Sequence, residues 1–364
     1  MQREDPQWGG AHAMNGKFMT GVLRVKSVYF LGASLLVASP AFAQDEPLDE
    51  IVLVEPIRDD WVTVVVTGTR EHVELSGQSA SIIAVEELER VQGPDLTRAL
   101  ERLPGVSFAR SGGLGSQTAL FVRGANSEQL KVLVDGIPLE DTAAPSGGFD
   151  LGTLVGGGIG KIELLRGSNS LVWGSDAIGG VLAVTTNDRD GQRASLEYGA
   201  RNSFDAQANV GLVGTDSRLG LAGGFTRTDG ISAFAGGNEV DAFRQWHVGG
   251  RGQLGLSDDF SLVASGRYAD SKVDFDGYPA PAYVFADTAE YQTTRQGSGR
   301  VGLRYANRQN YVEAGVALSD TRRAYFDPAF GSAPGFETSG RSIRADLQGR
   351  VWLSGFTGSM GTLV

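Results

Sequence analysis

The sequence predicts a small α+β globule followed by about eight strands of a transmembrane antiparallel β-barrel. Three observations predict it. The 364 residues include 52 glycines, about twice the usual share of roughly 7%. That richness excludes a helix bundle, and the lack of a Gly-X-Y period excludes collagen. No apolar run reaches the roughly 20 residues of a spanning helix, so any membrane crossing must be made by strands. Past Ala194 apolar and polar residues alternate, and the connections sort into short and long.

Composition narrows the chemistry. The formal net charge of −11 argues against a nucleic-acid surface. The absence of cysteine excludes a disulfide scaffold, a thiolate zinc site and a cysteine nucleophile. A hydrophobic fraction of 41% is enough to bury a core.

The elements follow in order. Lys17, Arg24 and Lys26 precede the apolar run 28–38, and Pro40-Ala41-Phe42-Ala43 follows it. Residues 1–43 therefore read as a secretory signal peptide cleaved after Ala43. Residues 1–13 carry charges that no signal needs, and Met14 or Met19 is the more natural start. Residues 44–63 are acidic and lack an amphipathic period, which predicts a flexible leader.

Residues 64–186 mix short strand runs with one helix. Pro94 and Asp95 open the helix, Leu96, Ala99, Leu100 and Leu103 space its apolar face, and Pro104-Gly105 ends it. Strands are expected at 119–123, 131–135, 161–166 and 180–185. From 194 to 364 the period is two. Phe260, Leu262, Ala264 and Tyr268 alternate with Ser261, Ser265 and Arg267, with Val263 the exception. Val301, Leu303 and Tyr305 alternate with Arg300, Gly302 and Arg304; comparable runs occupy 312–318 and 342–353. Strands are expected to begin near Ala194, Phe204, Arg218, Asp241, Asp259, Ala289, Arg308 and Phe336. Short turns at 215–217, 257–258 and 307 alternate with polar loops at 227–241, 269–289 and 322–337. A soluble sandwich shares the alternation. It has no reason to sort its loops, whereas outer-membrane barrels do.

The globule also carries ordered sequence words. They are Leu100-Glu101-Arg102-Leu103-Pro104-Gly105-Val106, Phe121-Val122-Arg123-Gly124, and Val132-Leu133-Val134-Asp135-Gly136-Ile137-Pro138-Leu139. Ile162-Glu163-Leu164-Leu165-Arg166-Gly167 follows, then Trp173-Gly174-Ser175-Asp176-Ala177-Ile178-Gly179-Gly180-Val181. Together they resemble the plug domain of TonB-dependent outer-membrane receptors, and the resemblance continues through the strands. The chain departs at Ser168, Trp173 and Ala183, where the family usually has Pro, Tyr and Asn. Gly105, Gly124, Gly136 and Gly167 fall where strands turn sharply and suit positive φ. Gly179-Gly180 is expected to let plug backbone approach a wall. Arg123, Asp135 and Arg166 are expected to form a structural ion-pair network rather than to touch substrate.

The resemblance implies energy-coupled transport. An inner-membrane complex, TonB with ExbB/ExbD, pulls an N-terminal segment called the TonB box by strand addition. Thr63, Val64, Val65, Val66 and Thr67 form the preferred candidate because they abut the plug. Asp49, Glu50, Ile51, Val52, Leu53 and Val54 form the other. An alternative is that Val64, Val65 and Val66 are the plug's first strand. Outer-membrane lipid and the barrel assembly machinery are the further partners implied, with no nucleic acid.

Within the family the chain looks most like the vitamin B12 (cobalamin) transporters, with a ferric siderophore as the other cargo. The stretch 173–180 and the loop from Tyr268 to Tyr291 carry that likeness. It implies calcium-binding loop carboxylates, here Glu239, Asp241, Asp276 and Asp287, with Ser232 near one expected carboxylate. Ca²⁺ takes six to eight oxygens, which converging carboxylates would supply; a solvated acidic rim is the alternative. Tyr278, Tyr283, Phe285 and Tyr291 are candidates for an aromatic floor under a corrin ring, or a grip on a siderophore.

No enzyme motif emerges. Gly160-Lys161 has Val155 and Ile162 where a P-loop needs Gly and Ser or Thr, no Gly-x-Ser-x-Gly occurs, and His12, His72 and His247 lack zincin spacing. Size adds one expectation. A globule of about 120 residues is roughly 35 Å across, whereas eight strands close at only about 16 Å. Twenty-two strands give about 44 Å, so the sequence reads as a complete plug with the first part of a 22-stranded barrel, truncated at its C-terminal side.

Overall fold

The computed structural model describes residues 79–353 apart from 92, 145–146, 169, 238 and 309, together with 19–21, 63–64, 71–72 and 356–360. Three short strands precede the globule: β1 (Met19–Gly21), β2 (Thr63–Val64) and β3 (Glu71–His72). The globule contains β4 (Ala80–Ala84), α1 (Val85–Leu88), α2 (Thr97–Leu100), β5 (Val106–Arg110) and β6 (Thr118–Val122). It continues through β7 (Leu130–Val134), β8 (Ile137–Leu139), β9 (Ile159–Arg166), α3 (Ser170–Trp173) and β10 (Gly180–Thr186).

Its main sheet has the order β4-β9-β10-β7-β8, with β10 and β7 parallel and the other pairs antiparallel. β7 is buried along its whole length, which is why its apolar run shows no alternation. Leu100, Ile162, Leu164 and Leu182 form the centre of the core. The expected helix is a single α-helical turn at Thr97–Leu100 flanked by further turns. Asp95 Oδ1 accepts from Thr97 N and Oγ1, tying the first turn, and Pro104 with Gly105 forbids another. Leu96, Ala99 and Leu100 are buried as expected, and Leu103 packs on the core from its edge.

A second sheet follows: β11 (Gly191–Gly199), β12 (Ser203–Val213), β13 (Ser217–Thr228), β14 (Phe243–Gly255) and β15 (Phe260–Gly277). β16 (Ala286–Ala306), β17 (Tyr311–Phe326), β18 (Phe336–Leu353) and β19 (Phe356–Met360) complete it. All neighbours are antiparallel and sequential, and β1 adds along the free edge of β11. β1 falls inside the segment read as a signal peptide; the rest of 1–43 lies outside the described residues. The loops sort as expected. One end carries 214–216, 256–259 and 307–310; the other carries 229–242, 278–285 and 327–335, with the three-residue turn 200–202 as the exception there.

The loops differ from expectation in extent, because 269–277, 286–289 and 322–326 remain in strands. β16 alone has 21 residues, roughly 69 Å at about 3.3 Å per residue. That far exceeds an apolar band about 25 Å tall, even at a tilt near 40°.

The polarity of this sheet is inverted relative to a soluble protein. Leu221, Trp246, Val248, Leu262, Val301, Leu303, Val316 and Ile343 are exposed, whereas Asp205, Asn209, Gln245, Arg300, Glu313 and Arg323 are buried. Val263, the exception to the alternation, faces inward and is buried. Inward charges are satisfied in pairs: Arg300 meets Glu313 and Asp346 at 2.7 Å each, and Arg304 meets Glu313 at 2.8 Å. Outward aromatics mark two levels. Trp246 lies 5.1 Å from Tyr268, and Phe260 lies 5.1 Å from Tyr305. Along β15 the two levels are eight residues apart, about 20 Å in height at a tilt near 40°.

The globule sits against the inward face. Ser265 Oγ donates to Asp135 O at 3.0 Å, and Gln245 Nε2 to Thr153 O at 2.9 Å. Arg323 pairs with Asp141 at 2.6 Å, both buried, and Arg344 pairs with Glu140. Close approach is made by glycines other than the expected ones. A Cβ built on Gly158 would lie 2.2 Å from Ala222 Cβ, and one on Gly115 would lie 1.9 Å from the Phe243 ring. Gly179 and Gly180 instead press on Ala125, Gln129 and Leu165 within the globule. Gly105, Gly124, Gly136 and Gly167 all have positive φ as expected. At Asp135-Gly136 two consecutive positive φ values give the β7–β8 hairpin its primed turn.

Candidate ligand-binding vestibule

Loop 229–242 folds toward the β15–β16 connection, and the two bring acidic side chains together. The β15–β16 register shifts between Phe275 and Gly277, so Asp276 leaves the regular alternation. Its Oδ2 accepts from Phe234 N at 2.7 Å and Ser232 Oγ at 3.0 Å, and its Oδ1 accepts from Thr288 N at 3.0 Å. These bonds pin both loops to one carboxylate. Carboxylate oxygens of Glu239, Asp276 and Asp287 lie within 4.8 Å of one another. Asp241 Oδ2 accepts from Ala233 N at 2.6 Å, while its buried Oδ1 has no hydrogen-bond partner among the described residues.

Burial, then the charges of Asp241, Asp276 and Asp287, push Glu239 up to about 7. Burial, then Asp276, Asp274 and Asp287, push Asp241 up to about 6 against the lowering bond from Ala233. Glu239 and Asp241, both pushed up, with the Asp276 and Asp287 carboxylates beside them and one orphaned oxygen, form an all-oxygen donor set that suits a hard divalent cation. Ser232, at the position where the resemblance puts a carboxylate, stands 3.0 Å from Asp276 Oδ2 and 3.4 Å from Asp287 Oδ1.

The expected aromatic group divides. Phe285 lies 5.4 Å from Tyr278 and 5.9 Å from Phe234, beside the carboxylates. Tyr283 is 72% exposed and has no ring partner among the described residues. Tyr291 does not join them. It registers opposite Asp274 and Phe326, on the same face as Val301, and is therefore on the outward side of the sheet. There it stacks on Phe326 at 4.6 Å with Lys272 Nζ 4.0 Å from its centroid. The inward face offers aromatics the sequence reading missed. Phe275 meets Tyr325 edge-on at 6.4 Å, and Tyr325 meets Phe336 at 5.8 Å. Extending the period-two pattern beyond the apolar band finds Phe275 and Tyr325; Phe234, in an irregular loop, has no such signal.

The ion-pair network expected of Arg123, Asp135 and Arg166 is replaced by hydrogen bonds. Arg123 Nη2 donates to Ser79 Oγ at 2.6 Å, and Arg166 donates to Pro104 O and Ser81 Oγ at 2.9 Å each. Asp135 accepts from Thr186 N at 2.8 Å and Thr186 Oγ1 at 2.6 Å. The ionic links of the globule lie elsewhere: Arg110 with Asp95 at 2.7 Å, and Lys131 with Glu140 and Asp176. Of the N-terminal candidates, Thr63 and Val64 pair with His72 and Glu71. Val65, Val66, Thr67, and Asp49 through Val54, lie outside the described residues.

Comparison with known proteins identifies the globule. Residues 73–181 match the family model of the TonB-dependent receptor plug domain. Among solved structures the chain is similar to the ferric yersiniabactin uptake receptor FyuA from Yersinia pestis. Identity is 16% and the TM-score 0.57, covering 77% of this chain and 46% of that one. The ferric-catecholate import receptor Fiu from E. coli in its open form gives 14%, a TM-score of 0.58, and coverage of 81% and 49%. The siderophore receptor PirA from Acinetobacter baumannii gives 16%, 0.53, and coverage of 74% and 44%. At these identities the likeness is one of fold, and the chain spans about half the length of the solved receptors it matches.

Proposed function

We infer, from a TonB-dependent receptor plug domain seated on the polar face of a sheet that is apolar outside, that the protein serves energy-coupled uptake across the bacterial outer membrane. That seating is the single observation that carries the reading. An open passive channel has no use for a folded stopper, and a soluble binding protein has no use for an outward apolar wall. The outer membrane has no energy source of its own. Work therefore arrives from the periplasmic side, through TonB and ExbB/ExbD, on an extended N-terminal segment. Thr63, Val64, Val65, Val66 and Thr67 remain the preferred box. The barrel assembly machinery inserts the strands into outer-membrane lipid.

Cobalamin is the cargo supported by the carboxylate cluster. Glu239, Asp276 and Asp287, with Asp241, would hold Ca²⁺, which neutralises their repulsion and orders the two loops. A ferric siderophore is the second reading. It is favoured by the ferric and siderophore receptors among the similar structures and by the inward rings of Phe275, Tyr325 and Phe336.

The test is uptake of radiolabelled cobalamin, and separately of ferric siderophores, in cells with the gene deleted and then restored. Cobalamin uptake lost on deletion and regained on restoration supports the first reading. Cobalamin uptake that survives in a strain without a redundant receptor, with siderophore uptake lost instead, establishes the second. Loss of neither rejects transport.

A further inference from the structure

We propose that the outward face of β13 to β15 binds the phosphate-bearing head group of an outer-leaflet lipid, with the acyl chain running down the same face to a glycine-floored groove. The proposal rests on the membrane reading above. Its starting point is a charge anomaly on the wall. In the β13–β14 register Arg227 stands directly opposite Arg244, and in the β14–β15 register Arg244 stands opposite Lys272. Like charges in directly opposed positions destabilise a sheet. Lys272 is answered by Asp274 at 2.8 Å and by the Tyr291 ring. Arg227 and Arg244 are exposed, and neither has an ion pair or side-chain hydrogen bond among the described residues.

The chain carries a net charge of −11, yet it brings no carboxylate to this pair. Nearby acids are engaged elsewhere: Asp270 with Arg295 at 3.0 Å, Asp320 with Arg341 at 3.1 Å, Asp274 with Lys272, and Asp229, two residues beyond Arg227, with the Asn202 amide, from which it accepts at 2.5 Å. Two adjacent guanidinium forks with no protein anion match a phosphate, which each can grip through two parallel N–H donors.

Position identifies the source of that phosphate. Arg227 is one outward step beyond Phe225, and Arg244 is one beyond Trp246, so the pair lies just above the outward aromatic level. That is the depth of head groups. Following β14 down the same face leads from Arg244 through Trp246 and Val248 to Gly250 and Gly252. Gly250, Gly252, Ala264, Gly266 and Gly299 adjoin across three strands, and with their leucine and valine neighbours they line a groove of about 720 Å³. Six residues separate Arg244 from Gly250, about 20 Å along the strand. Tilted, that is about half of a roughly 30 Å hydrocarbon core, the depth of one leaflet. A free phosphate would use the arginines alone; only a lipid uses both arginines and groove.

The experiment uses the full chain incorporated into phosphatidylcholine vesicles and titrated with phosphatidic acid, with bound lipid read by native mass spectrometry after gentle extraction. Phosphatidic acid should be retained about tenfold better than phosphatidylcholine, and less so as salt rises. The preference should vanish in the Arg227→Ser, Arg244→Ser double variant and persist in Arg295→Ser, whose arginine already has a carboxylate. Should the double variant misfold, Arg244→Gln alone, which relieves the like-charge contact, should still lose the preference several-fold. Inorganic phosphate at millimolar concentration should not displace the lipid; equal displacement overturns the role of the groove. A chain that enters vesicles without any preference, or a double variant that keeps it, overturns the site alone. A chain that does not enter vesicles overturns the membrane reading and the site with it.

Discussion

Gly158 offers the sharpest test of how the plug meets the wall. A Cβ added there would sit 2.2 Å from Ala222 Cβ on β13, whereas carbon contacts are comfortable at about 3.5–4.0 Å. The plug backbone or the strand must therefore move by well over an ångström. The native φ is +68°, which costs a non-glycine residue about 1–2 kcal/mol in its own right. Overpacking of this kind adds about 1–3 kcal/mol. Gly158→Ala should thus destabilise the plug by about 2–5 kcal/mol in total. The two components separate experimentally. Gly236 has φ +90° with nothing within 4 Å of its built Cβ, so Gly236→Ala should carry the backbone component alone. Ala222→Gly removes the struck methyl, and the double variant Gly158→Ala, Ala222→Gly should recover the overpacking component as a favourable coupling of about 1–3 kcal/mol. Urea titration of the full chain in detergent, followed by protease resistance of the plug and, for Gly236→Ala, of loop 229–242, measures all four. Equal losses for Gly158→Ala and Gly236→Ala, or no coupling with Ala222, would refute the contact.

Three further outcomes follow from other parts of the molecule. Glu313→Gln leaves the buried Arg300 and the half-buried Arg304 without their shared charge, so strand stability in urea should fall by about 3–5 kcal/mol. Asp135→Ala removes both bonds to Thr186 and should cost about 1–3 kcal/mol, read as earlier unfolding of the plug. The loop carboxylates give a pH dependence. Glu239 is raised from its ordinary 4.5 to about 7, so its protonated form favours the folded loop. That contribution is complete below about pH 4.5 and disappears as pH rises through 7 when divalent cations are chelated. Hydrogen exchange across 229–242 should therefore quicken over that range, and added Ca²⁺ should reverse the trend. Exchange that is flat with pH would count against the clustered carboxylates.

The alternating strands were legible because one face must be apolar wherever lipid touches it, and period two is then imposed on the sequence. Even Val263, which broke the pattern, found its place on the inward face. The loops were overestimated for the same reason. Above the apolar band the outward positions become Asp270, Lys272, Asp274 and Arg295, so the apolar signal fades while the backbone ladder continues. The four turn glycines were legible because positive φ excludes nearly every other residue. Which glycines touch the wall was not, since that depends on how two sheets meet. Partner choice was equally hidden: Arg166 reaches Pro104 O across 62 residues of chain, and nothing local announces that. Glu239, Asp276 and Asp287 converge because two loops far apart in the chain meet, which no local pattern announces. Tyr291 is instructive in the other direction. Its parity with Val301 already places it on the outer face, and its aromatic character alone gave no ground for setting it beside Phe285.

The order of strands in the plug sheet fixes how that domain yields to load. β4 is an edge strand, held on one side only by β9, and it is the described strand of the plug sheet nearest the N-terminal side. Tension entering the chain at Ala80 is borne first by five residue pairs. Behind them, β9, β10, β7 and β8 remain mutually bonded, with Asp141 and Glu140 still anchored to Arg323 and Arg344 on the wall. Rupture is therefore sequential, beginning with a short, replaceable strip and sparing the anchored remainder. The plug behaves as a door with a tear-off edge.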